Sequence, residues 1–598
     1  MRLSKLKTSH RFVCLTLQVA IAVSAFAQTA TTTRTPNNLN ASSARISKAY
    51  ANLGRFSGSV LVAKDGGVVF SEGYGLANIE SATKNTTKTR FHLGSLSKQF
   101  TAAAILKLES EGRLSTADPI SKFLSDYPKP QADTITIHHL LDHTSGIPSL
   151  GQRSGIPDPA DRSKPVTLTD LIALFKDLPL QFTPGTKYRY NNSGYILLAA
   201  IIEKASGQAY DSYLTVKLFA PASMRSTGRI PDEKTTRNVA IGYMGYAPDL
   251  VKPTYVHPSW FIGGAGIYST VEDLFRWDQA LYNNAILPPA QLDKFFKAHV
   301  ERGRPGRHYA YGWFIDEVHG RLAINHGGTT EGFVCAYYRF PQDKLLVVVL
   351  SNYVPKIGID IPDQVATRLS AAAFGVNYEL PPEVVKLPAS ELRDFVGEYE
   401  FDPGYRLKVE LRNGQLIAKT AGAQNWTLAT YSQQAKLATD KSRIDKARRI
   451  VAAFVAGDHQ VISELAAPAR RSEITAASVN ATRNEIAAKW GRLQTITPFA
   501  VSKDGSVRNR LSFEKGEMFM MIEFNEKEEF VGWFYGNRMM PAEVPLLPTS
   551  PNSFYVDGFK YDEGAPWGEK PVFVEFSSAG VTIKQGTDVS TARKIVIL

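Results

Sequence analysis

The sequence predicts an α+β protein whose first domain begins and ends with strands and has helices between them. Alternating apolar residues around an Asp-Gly-Gly turn predict a β-hairpin within residues 56–79. Apolar residues at helical spacing, each series closed by a glycine, predict helices over residues 95–111 and 194–204. Late strands are predicted by apolar runs at residues 323–324, 335–340 and 345–350. We expect the early and late strands to share one sheet.

The chain is long enough for several domains. Its 598 residues exceed what a single hydrophobic core usually supports. With 43% hydrophobic and 21% charged residues, the composition is ordinary for a globular protein and excludes wholesale disorder. Three prolines within residues 376–390 stiffen a connection there. We therefore predict a first domain over residues 44–378 and a linker over residues 379–390, with smaller domains beyond it.

The N-terminus has the pattern of a secretory signal peptide over residues 1–27. Four basic residues are followed by a largely apolar stretch and by the small-x-small site Ala25-Phe26-Ala27. A membrane anchor is the alternative, but the stretch is shorter than the roughly 20 apolar residues that a span needs. We expect an exported protein, periplasmic or secreted, with no stable membrane span after cleavage. Residues 28–43 have the polar composition of a flexible leader, and order is expected near Ile46.

Charge and cysteine content exclude two further classes of protein. The net charge of +12 is spread along the chain, and no run of Lys and Arg is interleaved with aromatic residues. We therefore expect no nucleic-acid partner. Cleavage of the signal peptide leaves Cys335 as the one cysteine, so an intrachain disulfide cannot form. We expect Cys335 to be a small core residue. The sequence leaves the oligomeric state unknown.

A Ser-x-x-Lys tetrad stands at the start of the first predicted helix, in residues 95–98. Positions three apart lie one above the other on a helix, so Lys98 can take the proton of the Ser95 hydroxyl if burial lowers the pKa of the amine. The helix N-terminus adds donors for developing negative charge. Spacing alone is weak support, since residues 4–7 and 81–84 show the same tetrad.

Two further motifs follow in the chain. Tyr190 and Asn192 come directly before the second predicted helix, where a phenol can relay a proton and an amide can hold a substrate amide. His326 begins a His-Gly-Gly-Thr tetrad in which Gly328 and its neighbour let a strand edge approach a ligand closely. Each pattern also occurs elsewhere, as in residues 50–52, so it is their order along the chain that gives them weight.

In that order the three motifs make residues 45–375 resemble the family of serine β-lactamases, D,D-peptidases, D-aminopeptidases and related esterases. The resemblance extends to the segments FSGSVLVAKDGGVVFSEGYG, ITIHHLLDHTSGIP, GGAGIYSTVEDLFRW and YGWF. It implies a β-lactamase/transpeptidase-like catalytic domain, in which an antiparallel sheet is flanked by helices and accompanied by an all-helical part. It also implies a serine hydrolase that needs neither metal nor organic cofactor and acts on a small molecule or short peptide.

The resemblance also assigns roles to the motif residues. It makes Ser95 the acylated nucleophile, Lys98 its base and Tyr190 the proton relay. It makes Asn192 a contact of the substrate and of Lys98, and His326 part of the opposite wall. The oxyanion hole would be formed by the backbone N–H groups of Ser95 and Thr329, beside Gly328.

His139 and His143 are spaced as helical metal ligands, but they fall in a structural segment of the family and no carboxylate is placed with them.

One departure from the family bears on the substrate. The Lys-Thr-Gly element of β-lactamases is His-Gly-Gly here, and neither a neutral His326 nor Gly327 suits a substrate carboxylate as Lys and Thr would. This favours D-aminopeptidase-like or esterase-like action on an amide or ester. The alternatives are a β-lactamase or a D-alanyl-D-alanine carboxypeptidase and, in another class, a non-catalytic ligand-binding protein on a hydrolase scaffold.

The C-terminal part resembles accessory modules of such hydrolases. Residues 391–438 resemble the first half of a lipocalin-like β-barrel, and residues 545–598 resemble its second half. Residues 440–540, helical first and then rich in strands, resemble an NTF2-like α+β cone. We expect the cone to be inserted in the barrel, with three domains in tandem as the alternative.

Overall fold

The structure is a computed structural model. It describes residues 39–150, 161–230, 238–245, 250–302, 306–355, 361–401, 405–422, 441–501, 506–525, 527–536, 543–556, 572–578, 580–585 and 588–595. The predicted signal peptide, residues 1–27, lies outside the described residues. Within these ranges, no helix has both the length and the apolar character needed to cross a membrane.

The first part of the chain alternates helices with short and long strands. Its helices are α1 (Leu39–Asn52), α2 (Lys98–Ser110), α3 (Gln131–Thr134), α4 (Ile137–Leu141), α5 (Leu168–Ala173), α6 (Asn192–Ser206), α7 (Tyr210–Leu214), α8 (Val271–Tyr282), α9 (Pro289–Phe296) and α10 (Ile361–Phe374). Its strands are β1 (Gly58–Lys64), β2 (Gly67–Tyr74), β3 (Leu76–Asn78), β4 (Thr83–Lys84), β5 (Phe91–His92), β6 (Gly228–Arg229), β7 (Tyr243–Gly245), β8 (Ile267–Ser269), β9 (Val300–Glu301), β10 (His308–Tyr309), β11 (Phe314–Val318), β12 (Arg321–Thr330), β13 (Phe333–Phe340), β14 (Leu345–Ser351) and β15 (Tyr353–Pro355).

An antiparallel sheet with the strand order β2-β1-β14-β13-β12-β11-β10-β9 forms the centre of this part. Strand β1 pairs with β14 along its whole length, from Gly58 opposite Ser351 to Lys64 opposite Leu345. The expectation that early and late strands share one sheet is therefore confirmed. The α+β fold class is confirmed with it.

Strand β14 is apolar throughout because both of its faces are covered. Leu346, Val348 and Leu350 belong to a core that also contains residues of α2, α6 and α8. The alternate residues of the strand, including Val347 and Val349, belong to a second core with α1 and α10. Since successive side chains of a strand point to opposite faces, a strand between two cores needs an unbroken apolar run.

Helix α1 begins at Leu39, earlier than the expected start of order near Ile46, so the flexible leader predicted to reach residue 43 is too long at its C-terminal end. Residues 28–38 lie outside the described residues. The buried face of α1 includes Ser43 and Ser47, both fully buried. The buried face of a helix is usually apolar, whereas serine is usual in a polar leader. The sequence of this stretch therefore resembles a leader although it forms a helix.

The C-terminal part contains a closed antiparallel barrel and a separate four-stranded sheet. Its helices are α11 (Ala389–Leu392), α12 (Lys441–Ala456), α13 (His459–Leu465) and α14 (Ala476–Trp490). The barrel strands are β16 (Gly397–Phe401), β17 (Tyr405–Arg412), β18 (Gln415–Gly422), β23 (Glu543–Ser550), β24 (Ser553–Val556), β25 (Val572–Ser577), β26 (Gly580–Gln585) and β27 (Asp588–Ile595). The separate sheet holds β19 (Leu493–Val501), β20 (Val507–Phe513), β21 (Gly516–Phe524) and β22 (Phe530–Gly536).

Pairing between distant segments closes the barrel. Strand β18 pairs with β23, where Leu416 lies opposite Leu546, and β16 pairs with β27. Helices α12 to α14 and the separate sheet lie between β18 and β23 in the chain. They share a core of their own, which includes Ile450, Phe454 and Met520. A small barrel and an α+β unit thus follow the first part of the chain, as the fold class predicted.

The double-sided burial of β14 gives a test of the fold. Replacing the fully buried Leu350 with alanine leaves a cavity, so L350A should lower the free energy of unfolding by about 2–5 kcal/mol. Urea unfolding followed by tryptophan fluorescence measures this change. The matched variant L322A removes a leucine that is 40% exposed on β12 and should change stability by less than about 0.5 kcal/mol. Equal effects of the two variants would contradict the described packing.

Candidate active site

Ser95 and Lys98 lie together at the start of α2. Ser95 is in the one-turn 3-10 helix Gly94–Ser97 and is partly exposed, whereas Lys98 is the first residue of α2 and is fully buried. The Lys98 Nζ lies 3.2 Å from the Ser95 Oγ. It also donates hydrogen bonds to Asn192 Oδ1 at 2.9 Å and to the carbonyl oxygen of Gly264 at 3.1 Å. The amine is therefore held against the serine hydroxyl by two acceptors from other segments.

The surroundings of Lys98 disfavour its charged form. Burial lowers the pKa of the amine to about 7, and none of its three hydrogen-bond acceptors is a carboxylate. The faces of Tyr190 and Tyr195 also line it, with the Nζ 4.8 and 5.4 Å from the ring centroids. A lysine that is substantially neutral near pH 7 can accept a proton from a neighbouring hydroxyl.

Asn192 reaches Lys98 because the segment before α6 is tightly held. The side chain of Asn191 caps the helix by accepting a hydrogen bond from the Gly194 N–H at 2.7 Å. The backbone N–H of Asn192 donates to Ser149 Oγ at 2.9 Å, and its Nδ2 donates to the Leu150 carbonyl at 3.2 Å. With Nδ2 fixed in this way, Oδ1 faces the amine. The contact of Asn192 with Lys98 that the sequence suggested is present.

Two glycines bring strand β12 against the turn that carries Ser95. A Cβ on Gly328 would lie 1.9 Å from the Leu93 carbonyl oxygen and 2.9 Å from the Ser95 backbone nitrogen. A Cβ on Gly94, whose φ is 54°, would lie 2.6 Å from the Thr329 nitrogen. The contact thus depends on the absence of side chains at both positions, and it brings the backbone nitrogens of Ser95 and Thr329 into one region.

Cys335 lies behind this contact. It is opposite Gly328 in the neighbouring strand β13, and its buried thiol donates to the same Leu93 carbonyl at 3.0 Å. This agrees with the prediction of a small core residue.

His326 is 2% exposed and makes its contacts inside the protein. Its ring stacks on Phe314 with centroids 4.3 Å apart, and its Nε2 lies 3.3 Å from the Tyr309 hydroxyl. Burial lowers its pKa to about 3, so the imidazole is neutral at physiological pH. His326 and Gly327 thus supply neither a cation nor a hydroxyl.

Some residues of the site were not selected from the sequence. The Gly264 carbonyl, the rings of Tyr309 and Phe314, and the imidazole of His143 all lie around Lys98, Tyr190 and His326. Each lies in or beside a segment that carried the resemblance: Phe314 in YGWF, Tyr309 two residues before it, Gly264 in GGAGIYSTVEDLFRW and His143 in ITIHHLLDHTSGIP. The resemblance pointed to these segments but gave these four residues no role in the site.

Both histidines that are spaced as metal ligands have hydrogen-bond partners in the protein. The Nδ1 of His139 accepts from the Thr136 N–H, and the Nδ1 of His143 accepts from the Asn191 N–H. The neighbouring His138 contacts Asp142 at 3.3 Å and the Tyr311 hydroxyl at 2.8 Å. Among the residues that the structure describes, no group of three or more His, Cys, Asp or Glu side chains is arranged to hold a metal ion.

Comparisons with known proteins agree with the fold and the motifs. Residues 43–372 match the family model described as Beta-lactamase. Penicillin-binding protein 4* of Bacillus subtilis (strain 168) is 29% identical over 388 residues, which cover 62% of this chain and 84% of that protein. The putative penicillin-binding protein PbpX of the same strain is 31% identical over 300 residues, which cover 50% of this chain and 71% of that protein.

Solved structures show the same fold. The match to the octameric penicillin-binding protein homologue from Pyrococcus abyssi has a TM-score of 0.52 at 21% identity. It spans 92% of this chain and 99% of the homologue. The match to D-amino acid amidase from Ochrobactrum anthropi SV3 has a TM-score of 0.50 at 21% identity. It spans 56% of this chain and 99% of the amidase. The fold is that of serine hydrolases of the β-lactamase and penicillin-binding protein type. The chain belongs to the Beta-lactamase family.

The low pKa of Lys98 predicts how the rate of serine acylation depends on pH. Below about 7 the amine carries a proton and cannot accept another, so the rate should fall about tenfold per pH unit. Above about 7 the amine is neutral and the rate should be flat. Labelling of the full chain by a serine-reactive phosphonate, followed over this range, measures the dependence. A rate that is constant across neutral and mildly acidic pH would contradict it.

The glycine contact predicts a second outcome. G328A forces β12 away from the Leu93 carbonyl and from the Ser95 nitrogen, so the labelling rate should fall by about 100-fold or more. The control G67A adds the same methyl group to an exposed hairpin residue whose nearest neighbour would be 3.8 Å away, and it should leave the rate unchanged. A G328A variant as reactive as G67A would show that the contact does not support the chemistry.

Proposed function

We propose that this protein hydrolyses an amide or ester through an acyl-enzyme formed on Ser95. One observation carries the proposal. The fully buried Lys98 amine lies 3.2 Å from the Ser95 hydroxyl, with neutral hydrogen-bond acceptors around it and a pKa lowered by burial to about 7. A nucleophile and an adjacent base in this arrangement need no metal ion to activate the serine.

In the proposed reaction, the Ser95 Oγ attacks the substrate carbonyl and its proton passes to the Lys98 Nζ. The backbone N–H groups of Ser95 and Thr329 donate to the oxyanion, with Gly328 leaving room for their approach. Tyr190, whose ring lies beside the amine, gives its phenolic proton to the leaving amine or alcohol and takes the proton held by Lys98 in its place. Water then attacks the acyl-enzyme by the same path, which releases the acid and restores the serine.

The substrate is proposed to be D-aminopeptidase-like or esterase-like. Where β-lactamases have the Lys and Thr of their Lys-Thr-Gly element, the buried, neutral His326 and Gly327 supply no cation and no hydroxyl with which to bind a substrate carboxylate. This disfavours β-lactams and peptides that end in D-alanine. The fold shared with D-amino acid amidase is compatible with an amide substrate but is not specific for it.

Export and the division into domains are further proposals. We infer that residues 1–27 are removed on export to the periplasm or the medium. Residues 44–378 would be the catalytic domain, followed by a linker over residues 379–390. The closed barrel formed by β16–β18 and β23–β27 supports a lipocalin-like domain split over residues 391–438 and 545–598. The intervening residues 440–540 would be the NTF2-like insertion.

Replacement of the proposed nucleophile tests the function directly. S95A should abolish both phosphonate labelling and turnover, because no other hydroxyl takes the place of its Oγ. K98A should lower the rate by about 100-fold or more, since the serine loses its base. The matched control S110A removes an exposed hydroxyl at the other end of α2 and should keep full activity. Continued labelling of S95A at another residue would overturn the assignment.

A substrate panel separates the candidate activities. D-amino-acid amides, short-chain esters, a chromogenic cephalosporin and a peptide ending in D-alanyl-D-alanine should be offered to the purified full chain. The first two are expected to be turned over. Turnover of the cephalosporin or release of D-alanine alone would favour a β-lactamase or carboxypeptidase. Silence across the panel together with no phosphonate labelling would favour a ligand-binding protein.

A further inference from the structure

Two buried imidazoles and a buried phenol lie behind Tyr190. The ring of His143 is 4.4 Å from that of Tyr190 and 4.5 Å from that of Tyr309, between centroids. His326 lies on the other side, 6.2 Å from Tyr190 and 6.0 Å from Tyr309. His143, Tyr309 and His326 are each no more than 2% exposed. A substrate in the cleft therefore has little access to them.

The hydrogen bonds of His326 fix its tautomer. Its Nδ1 is within hydrogen-bond distance of the Gly327 carbonyl oxygen, which can only accept, so Nδ1 carries the hydrogen. Because the ring is neutral, its Nε2 then has a lone pair. The Tyr309 hydroxyl lies 3.3 Å from Nε2, within reach to donate to this lone pair. Burial raises the pKa of Tyr309 well above its usual value, so this donor keeps its hydrogen.

His143 is fixed in the opposite tautomer. Its Nδ1 lies 3.1 Å from the backbone nitrogen of Asn191, which can only donate, so Nδ1 holds the lone pair and Nε2 carries the hydrogen. The nearby hydroxyl of Tyr195 donates its own hydrogen to the Leu141 carbonyl at 2.9 Å, so its oxygen is a second acceptor for Tyr309 beside Nε2 of His326. The two imidazoles are therefore neutral, and the ring nitrogens of His326 are both engaged within the protein.

We propose that Tyr309 is a positioning residue of this hydrolytic site, whose hydroxyl holds His326 in the Nδ1–H form and whose ring, with that of His143, holds Tyr190 against Lys98. In this form His326 binds the Gly327 carbonyl, two residues before Thr329, and so fixes the course of β12 beside Ser95. His326 then acts through the strand rather than by contact with the substrate. This inference rests on the proposed acyl transfer and adds a residue to it.

Tyr311 provides a matched control for Tyr309. Its hydroxyl also bonds to a histidine nitrogen, His138 Nδ1 at 2.8 Å, but that histidine is paired with Asp142 away from Lys98. Y309F should lower kcat about tenfold with KM changed by less than about twofold, because it misplaces groups that act on the transition state. Y311F removes an equivalent hydroxyl and should leave kcat and KM unchanged.

A spectroscopic measurement tests the tautomers without substrate. In full-length protein labelled with 15N-histidine, long-range proton–nitrogen correlations distinguish a ring nitrogen that carries hydrogen from one that accepts it. The signals are assigned with H326Q and H143Q. We expect hydrogen on Nδ1 of His326 and on Nε2 of His143. Y309F should shift the Nε2 signal of His326, whereas Y311F should not.

The two measurements separate the possible failures. Hydrogen on Nε2 of His326 in the wild-type chain, or equal kinetics and equal nitrogen signals in Y309F and Y311F, would overturn the role of Tyr309. If wild-type protein lacks all turnover and labelling, the proposed function fails, while the nitrogen signals still decide whether Tyr309 holds His326. Should Y309F unfold, the tautomer of His326 in the wild-type chain decides whether Tyr309 has this role.

Discussion

The site depends on burial of one lysine amine among neutral acceptors. Lys98 is placed by α2, Asn192 by the start of α6 and Gly264 by the loop before β8, and their polar atoms meet within 3.1 Å of the amine. A carboxylate in place of either acceptor, Asn192 or the Gly264 carbonyl, would stabilise the ammonium form of Lys98, which then could not act as a base. The proposed chemistry thus requires that several elements of the first part of the chain meet where water is largely excluded, and the rest of the fold holds them there.

Close backbone packing is the second requirement. Gly94 and Gly328 allow β12 to lie directly on the turn before Ser95, at distances that leave no room for a side chain. The same strand carries both His326 and Thr329, the second of the proposed oxyanion donors. The neighbouring strands β13 and β14 are buried along their lengths, which gives β12 a rigid support.

The first part of the chain and the C-terminal part protect their β-sheets from solvent in different ways. In the first part, the eight-stranded sheet is covered on both faces by helices. In the C-terminal part, a barrel removes open sheet edges by closing β16 onto β27. The α+β unit between β18 and β23 has its own core, so an insertion at this point leaves the barrel pairing intact.

The sequence by itself determined the fold class and the central strands, because hydrophobic periodicity is a local property of the chain. It singled out the Ser95–Lys98 pair from the other Ser-x-x-Lys tetrads by the order of three motifs along the chain. It did not determine the start of α1, where buried serines have the composition of a leader. Nor did it indicate that Tyr309 and His143 would lie beside Tyr190 and His326, since these contacts join segments up to more than a hundred residues apart. Only the tertiary structure decided those neighbours, because long-range packing and desolvation, and not any local pattern, bring them together and set the pKa of the amine.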